Sequence, residues 1–121
     1  MPDSSDAEKE QLPRDFKEAV EQRNFCRAEK IARAINQSEE EISALQKKAI
    51  RQFIIEYRNP QGAIALAEEY RFTREDLNQF LIDILQEARE KKILEKKQFD
   101  IKTMRYLTLE EWIKEYLKIN R

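Results

Sequence analysis

Few residues of this chain could do acid–base, nucleophilic or metal chemistry. The 121 residues include no histidine, which is the commonest general base and a frequent metal ligand. The single cysteine, Cys26, excludes an internal disulfide. Cys26 lies near a predicted helix start, a position that favours a reactive thiolate. Its counterpart 35 residues on is Gln61, so we interpret the position as partly exposed and tolerant rather than catalytic.

Two further patterns could hold a ligand. The acidic run 39–41 offers carboxylates for a metal, but consecutive residues on a helix point in different directions. Acidic residues in the first turn of a helix also stabilise the helix by interacting with its dipole, so a role at the helix start explains the acidic run without a metal. With one glycine, Gly62, the chain has no glycine-rich phosphate loop. We therefore predict that the protein is not an enzyme and has no catalytic, cofactor-binding or metal-binding residues.

Charge is unevenly distributed along the chain. Residues 1–22 carry seven acids and three bases, a net charge of −4, whereas residues 89–105 carry seven bases and three acids, a net charge of +4. The basic stretch could be a solvated helix face, a docking patch for an acidic protein, or a weak, salt-sensitive nucleic-acid surface. The candidate partner-binding residues lie in this stretch and in the helix after it: Arg89, Lys91, Lys92, Lys96, Lys97, Phe99, Trp112 and Tyr116.

Three similar phrases, "QSEEEI", "FTREDL" and "LTLEEW", recur at an interval of 35 residues. Each has Ser or Thr in second place, and these are preferred N-cap residues. Each also has an acid three residues later, the return arm of a capping box. The phrases therefore predict three helix starts, after Ser38, Thr73 and Thr108.

The residues between these caps repeat at the same offset. "EQRNFCRAEKIARAI" aligns without a gap to "EYRNPQGAIALAEEY", and both contain an Arg-Asn pair and two alanines four residues apart. Asn24 and Asn59 are predicted to cap the short helices that follow, with Pro60 at a first helical position. Alanines at this spacing make a narrow flank that another helix can approach closely.

The spacing of apolar residues predicts an all-α fold. The long helices are apolar on more than one side, so each needs two neighbours. Stacked helical hairpins meet this demand, and we predict a right-handed stack of about three 35-residue repeats, a short α-solenoid. The third unit lacks the alanines, as a terminal repeat often does. The predicted helices are 14–22, 25–36, 39–57, 60–71, 74–97, 100–106 and 109–119.

Composition indicates a domain preceded by a polar tail. We predict a disordered acidic tail over residues 1–12 and a single helical-repeat domain over 13–121. No apolar run reaches the 18 to 20 residues of a membrane span. The N-terminal segment is polar and acidic, unlike a secretory signal. We therefore expect a cytoplasmic protein with no membrane partner.

The segment 24–35, "NFCRAEKIARAI", is similar to the second-helix signature of tetratricopeptide repeats. Its aromatic, small and large positions are Phe25, Ala28 and Ile35, and segment 59–70 resembles it. The period is 35 residues rather than 34, so the chain resembles the broad tetratricopeptide-like class of α-solenoids. The resemblance implies binding of proteins or peptides, with no catalytic residue to transfer.

These observations predict a non-enzymatic protein–protein interaction module, such as an adaptor, scaffold or chaperone-like protein, that binds a partner segment on a helical-repeat surface. The partner could be acidic. One alternative is a small regulatory protein that associates with nucleic acid through residues 89–105. Another is a self-associating structural subunit, a homo-oligomer, because a solenoid without a polar end continues through a neighbour. The helix at 109–119 could be an internal cap or an element that docks only on a partner.

Overall fold

The computed structural model describes residues 4–92 and 96–117, with side chains from residue 11 onward. It is mainly helical, as predicted, and also contains a small two-stranded antiparallel sheet. The helices are α1 (Ser4–Glu21), α2 (Phe25–Ala34), α3 (Glu39–Ile55), α4 (Pro60–Glu69), α5 (Arg74–Glu90) and α6 (Leu109–Tyr116), and the strands are β1 (Gln98–Asp100) and β2 (Arg105–Leu107).

The described residues fall into two compact units, one within residues 1–50 and the other within 51–121. The division lies inside α3, which is a continuous helix. The prediction of one domain over 13–121 therefore stays a prediction.

Helix α1 begins at Ser4 rather than at residue 14. It thus includes most of the segment predicted as a disordered tail, while residues 1–3 lie outside the described part of the chain. Pro13 lies inside this helix, where its ring removes one backbone donor. Acidic residues near a helix start favour the helix dipole, and the sequence supplies Asp6 there.

The core of the first unit is built from small residues. Helices α1 and α2 pack together, and the first half of α3 adds larger apolar side chains. Alanine at the contact lets two helix backbones come close, as the sequence predicts. The buried residues of this cluster are Ala19, Ala28, Ile31, Ala32 and Leu45.

The short helices α2 and α4 are capped as predicted. The Asn24 Oδ1 atom accepts from the Arg27 backbone N at 3.3 Å, and the Asn59 Oδ1 atom accepts from the Gly62 N at 2.9 Å. Pro60 is the first residue of α4, where no backbone donor is lost.

The turns before and after these two helices also recur at an interval of 35 residues. Arg23 and Arg58 precede α2 and α4 in the left-handed region, with φ of 59° and 50°. Asn36 and Arg71 follow the same two helices with φ of 58° and 61°. The next residue then donates its backbone N–H five residues back, from Gln37 to Ala32 at 3.0 Å and from Phe72 to Ala67 at 2.8 Å.

Burial follows the same interval. Six buried positions have a buried counterpart 35 residues on, so the 35-residue interval applies to these positions as well as to the caps. The right-handed stacking of about three such repeats stays a prediction. The pairs are Ala19 with Ile54, Ala28 with Ala63, Ile31 with Leu66, Ala32 with Ala67, Ala49 with Ile84, and Ile50 with Leu85.

The three predicted caps begin helices. Thr73 and Thr108 form complete capping boxes with Asp76 and Glu111, since each side chain accepts from the other residue's backbone. The Ser38 hydroxyl accepts from the Glu41 backbone N at 3.2 Å. These contacts confirm the helix starts that the repeated phrases predict.

The predicted helix over 100–106 is wrong, because β1 and β2 form a hairpin there. The Asp100 carboxylate accepts from the Thr103 backbone N at 3.0 Å and from its hydroxyl at 2.7 Å, which closes the turn. Met104 ends the turn with φ of 56°. Aromatic side chains on both strands favour the sheet.

Helix α5 also ends earlier than predicted. It stops at Glu90 instead of residue 97, and Lys92 follows in the left-handed region with φ of 57°. Residues 93–95 lie outside the described part of the chain. Residues 96 and 97, which precede β1, are not helical.

Candidate interaction surfaces

Four large apolar side chains are exposed on the β1–β2 hairpin. Phe99, Ile101, Met104 and Tyr106 have 48%, 79%, 69% and 65% of their surface accessible to solvent. Four exposed basic residues lie beside them. The hairpin surface, as we call it, consists of Phe99, Ile101, Met104 and Tyr106 together with Lys96, Lys97, Lys102 and Arg105.

The alternation of side chains along the strands separates two faces of the hairpin. Phe99 and Tyr106 are paired across the strands, and their rings contact each other with centroids 5.2 Å apart. Leu107, one residue on from Tyr106, is buried. One face therefore packs on the protein and the other carries the aromatic pair outward.

A hydrogen-bond network attaches the hairpin to α6. The Tyr116 hydroxyl donates to the Asp100 Oδ2 atom at 2.5 Å, and the same oxygen accepts from Thr103. The Lys102 Nζ atom lies 5.7 Å from the centre of the Tyr116 ring. The turn is thus held both by its own bonds and by a side chain of the next helix.

This network shifts two pKa values. Hydrogen bonds from Tyr116 and then Thr103 hold the pKa of Asp100 below its usual value. The bond to Asp100, with some desolvation, raises the pKa of Tyr116 to about 12. Both shifts favour the state in which a neutral phenol donates to an ionised carboxylate.

A pH titration of the tyrosines tests the network. We expect one component of the tyrosinate absorbance to titrate with a midpoint of about 12. The change Asp100→Asn should return it toward about 10, the value of an unperturbed phenol. Because the pKa of Tyr116 is raised, its hydrogen bond stabilises the fold fully below about pH 10, and this stabilisation is lost as pH rises through about 12. Because the pKa of Asp100 is lowered, its ionised form stabilises the fold above about pH 4, and this stabilisation is lost as pH falls.

The matched control for this titration is Tyr116→Phe, which should remove the late component altogether. A late component that persists in that variant would contradict the assignment. The same would hold if Asp100→Asn left its midpoint unchanged.

Trp112 does not lie on the exposed surface with the other candidates. It is 4% exposed, and Leu109 and Ile113 on the same side of α6 are fully buried. The Arg58 guanidinium lies 5.6 Å from the centre of the Trp112 ring, a cation–π contact. α6 packs against α5 and against β2.

The remaining basic candidates lie on both sides of the segment 93–95. Arg89, Lys91 and Lys92 are exposed at the end of α5. The Lys91 Nζ atom pairs with Glu87 at 2.7 Å, and Arg51 pairs with the same carboxylate. Hydrogen bonds from Lys91 and Arg51 lower the pKa of Glu87. Lys91 is therefore partly neutralised, whereas Lys96 and Lys97 are exposed close to β1.

The sequence predicts Phe99 as a candidate binding residue but not the apolar residues exposed beside it. Ile101, Met104 and Tyr106 fall in the helix predicted over 100–106, which gives no reason to expect their joint exposure. The available signal was an aspartate three residues before a threonine, flanked by Phe99 and Tyr106, a pattern typical of a turn between two strands.

An open groove of about 680 Å³ lies between α4, α5 and α6 of the second unit. Its lining is mainly apolar and also includes Arg74, Glu75 and Asn78. Tyr116 lines this groove and also binds the hairpin, so the two surfaces adjoin. The α5 groove, as we call it, has as its apolar residues Ile64, Leu77, Leu81 and Leu117.

The described side chains include no metal-binding cluster. Within residues 11–92 and 96–117, no group of three or more acidic or cysteine side chains is placed to hold a metal ion. Cys26 is half-buried on α2. None of the described helices is both long and apolar enough to cross a bilayer.

Comparisons with protein-family models, with curated proteins and with solved structures found no match to this chain.

Proposed function

We propose that this chain is a non-enzymatic protein-interaction module and that the hairpin surface is where it contacts a partner. The observation that carries this proposal is the exposure of four large apolar side chains on one short hairpin: Phe99, Ile101, Met104 and Tyr106. Apolar residues concentrated on a small exposed surface commonly mark binding sites in soluble proteins.

The attachment of the hairpin adds to this argument. The bonds of Asp100 with Thr103 and Tyr116 hold the turn before any partner arrives. A partner that buries Ile101 and Met104 therefore orders little additional chain. Burial of each such side chain contributes about 1.5–3 kcal/mol, before the cost of association.

Charge favours a partner with acidic side chains at the contact. Lys96, Lys97, Lys102 and Arg105 surround the apolar residues and are exposed. Opposite charge across an interface speeds association and selects among partners.

Nucleic acid remains the second candidate because of these cations. Binding of single strands relies on aromatic faces that stack with bases, together with basic residues. Phe99 and Tyr106 contact each other, and the two most exposed of the large apolar side chains, Ile101 and Met104, are aliphatic and have no stacking face. A protein partner accounts for the aliphatic residues, whereas a nucleic acid does not.

A comparative pull-down from a lysate of the source cells tests the proposal. We expect the intact protein to retain a partner that the double variant Ile101→Ser/Met104→Ser loses. The control is Tyr57→Ser, which removes an exposed aromatic residue from another element and should retain the partner. Equal capture by all three baits would contradict the proposal, and capture that nuclease abolishes would favour the nucleic-acid alternative.

A further inference from the structure

We infer that the partner bound to the hairpin surface is a second copy of this chain. In the two-fold dimer, the hairpin tip (residues 101–104) of each copy lies in the α5 groove of the other. The inference rests on the proposed function, since it names the partner of the same surface. It requires a protrusion and a recess that fit one another.

The protrusion and the recess are adjacent within the second unit. Tyr116 belongs to both, because its hydroxyl holds Asp100 while its side chain lines the α5 groove. Ile101, the first residue of the tip, directly follows Asp100 in the chain. The Lys102 ammonium lies over the Tyr116 ring, at the border between the two surfaces.

This adjacency suits a two-fold interface. Such an interface uses the same patch on both copies, so each feature of the patch must meet a complementary feature of that patch. A patch with a protrusion next to a recess meets this condition when the symmetry axis passes between them. The dimer then has two equivalent contacts, each between the hairpin tip of one copy and the α5 groove of the other, and both tips are buried.

The chemistry of the two surfaces also matches. The tip presents the aliphatic side chains of Ile101 and Met104, and the α5 groove presents leucine and isoleucine. Removal of these side chains from water on both copies drives association. A groove of about 680 Å³ is ample for two aliphatic side chains.

The charges at the rim are compatible with this arrangement. Glu75 lines the α5 groove, and Lys102 lies in the tip between the two most exposed apolar residues. In the dimer the Lys102 ammonium of one copy meets the Glu75 carboxylate of the other, twice by symmetry. Arg74 lines the same groove, so the rim is mixed in charge rather than basic.

Sedimentation equilibrium of the full chain tests the inference. We expect a reversible monomer–dimer equilibrium, with a dissociation constant that rises about a hundredfold or more in Ile101→Asp/Met104→Asp. The groove variant Ile64→Asp should weaken the dimer from the other side of the same contact. Circular dichroism of each variant establishes that it is folded.

Thiol cross-linking locates the contact. In a Cys26→Ser background, Met104→Cys and Ile64→Cys are prepared separately, mixed, and treated with a short bis-maleimide. We expect covalent dimers in the mixture, and none when Met104→Cys is mixed with Tyr57→Cys. Absence of a cross-link specific to the first mixture would overturn the exchanged arrangement.

Two outcomes separate this inference from the proposed function. A monomeric wild-type protein, or a dimer that the hairpin variant leaves intact, would overturn the inference. If the Ile101→Ser/Met104→Ser bait nevertheless lost its partner in the pull-down, the hairpin surface would bind a different protein and the proposed function would stand.

Discussion

Replacing Trp112 with alanine is expected to lower the free energy of unfolding by about 3–5 kcal/mol. The side chain is buried between α6 and the rest of the second unit, it contacts the Tyr116 ring, and the Arg58 guanidinium lies over it. Its removal leaves a cavity lined by groups that cannot fully collapse. Urea-induced unfolding followed by circular dichroism measures the loss.

Tyr106→Ala is the matched control, because it also removes an aromatic side chain but from an exposed site. We expect it to cost no more than about 1 kcal/mol, because it loses only the cross-strand contact with the Phe99 ring. Trp112 is the only tryptophan, so its emission reports burial directly. Blue-shifted emission that iodide quenches poorly is expected, and red-shifted, freely quenched emission would contradict an internal position for α6.

Gly62→Ala is expected to destabilise the protein by about 1–3 kcal/mol. Alanine usually stabilises a helix relative to glycine, by about 1 kcal/mol in a helix interior. At this position, however, a Cβ atom would lie 2.5 Å from the Phe53 Cδ1 atom and 2.6 Å from Cε1. Phe53 also packs edge-on against Tyr57, which limits how its ring can move.

Two variants isolate this clash. Gln61→Ala lies in the same turn of α4 on an exposed position and should alter stability by less than about 0.5 kcal/mol. The double change Gly62→Ala/Phe53→Ala should cost less than the sum of the two single changes, because the shortened side chain makes room. A higher denaturation midpoint for Gly62→Ala alone would show that α4 does not approach Phe53 this closely.

The helical part of the fold could be predicted because its signals are local. An N-cap side chain bonds to a backbone group two or three residues away, so Asn24, Thr73 and Thr108 identify helix starts without knowledge of the tertiary structure. The spacing of apolar residues in turn predicts which side of each helix is buried, as in α6. The helix starts at 25, 39, 60, 74 and 109 are confirmed.

The hairpin could not be predicted with the same rules. Residues 98–107 contain no Gly or Pro to mark a turn, and three-residue strands are too short for alternation to stand out. The structure there depends on a turn closed by Asp100 and on Tyr116, which lies 16 residues further along the chain. A contact between residues so far apart in the chain produces no pattern of residue spacing from which the hairpin could be predicted.

The candidate site was predicted only in part for the same reason. The basic residues near 89–105 are evident from charge alone, and Phe99 is indeed exposed beside them. Whether an aromatic residue is buried depends on its neighbours. The sequence left open whether Trp112 belongs to an internal cap or to a free docking helix, and the structure has Trp112 buried and Tyr106 exposed. The sequence therefore identifies Lys96, Lys97 and Phe99, but not the exposure of Ile101, Met104 and Tyr106 beside them.

The left-handed turns have a consequence for evolution. Arg23, Arg58 and Arg71 occupy backbone conformations that glycine adopts without steric cost, and each arginine gives up about 1 kcal/mol there. Together they amount to about 3 kcal/mol, a large share of the 5–15 kcal/mol by which a typical domain is stable. Selection keeps a chain above a threshold of stability rather than at its optimum. Replacement of Arg23 or Arg71 by glycine would relieve this steric cost and leave the fold intact, whereas at Arg58 it would also remove the guanidinium that lies over Trp112.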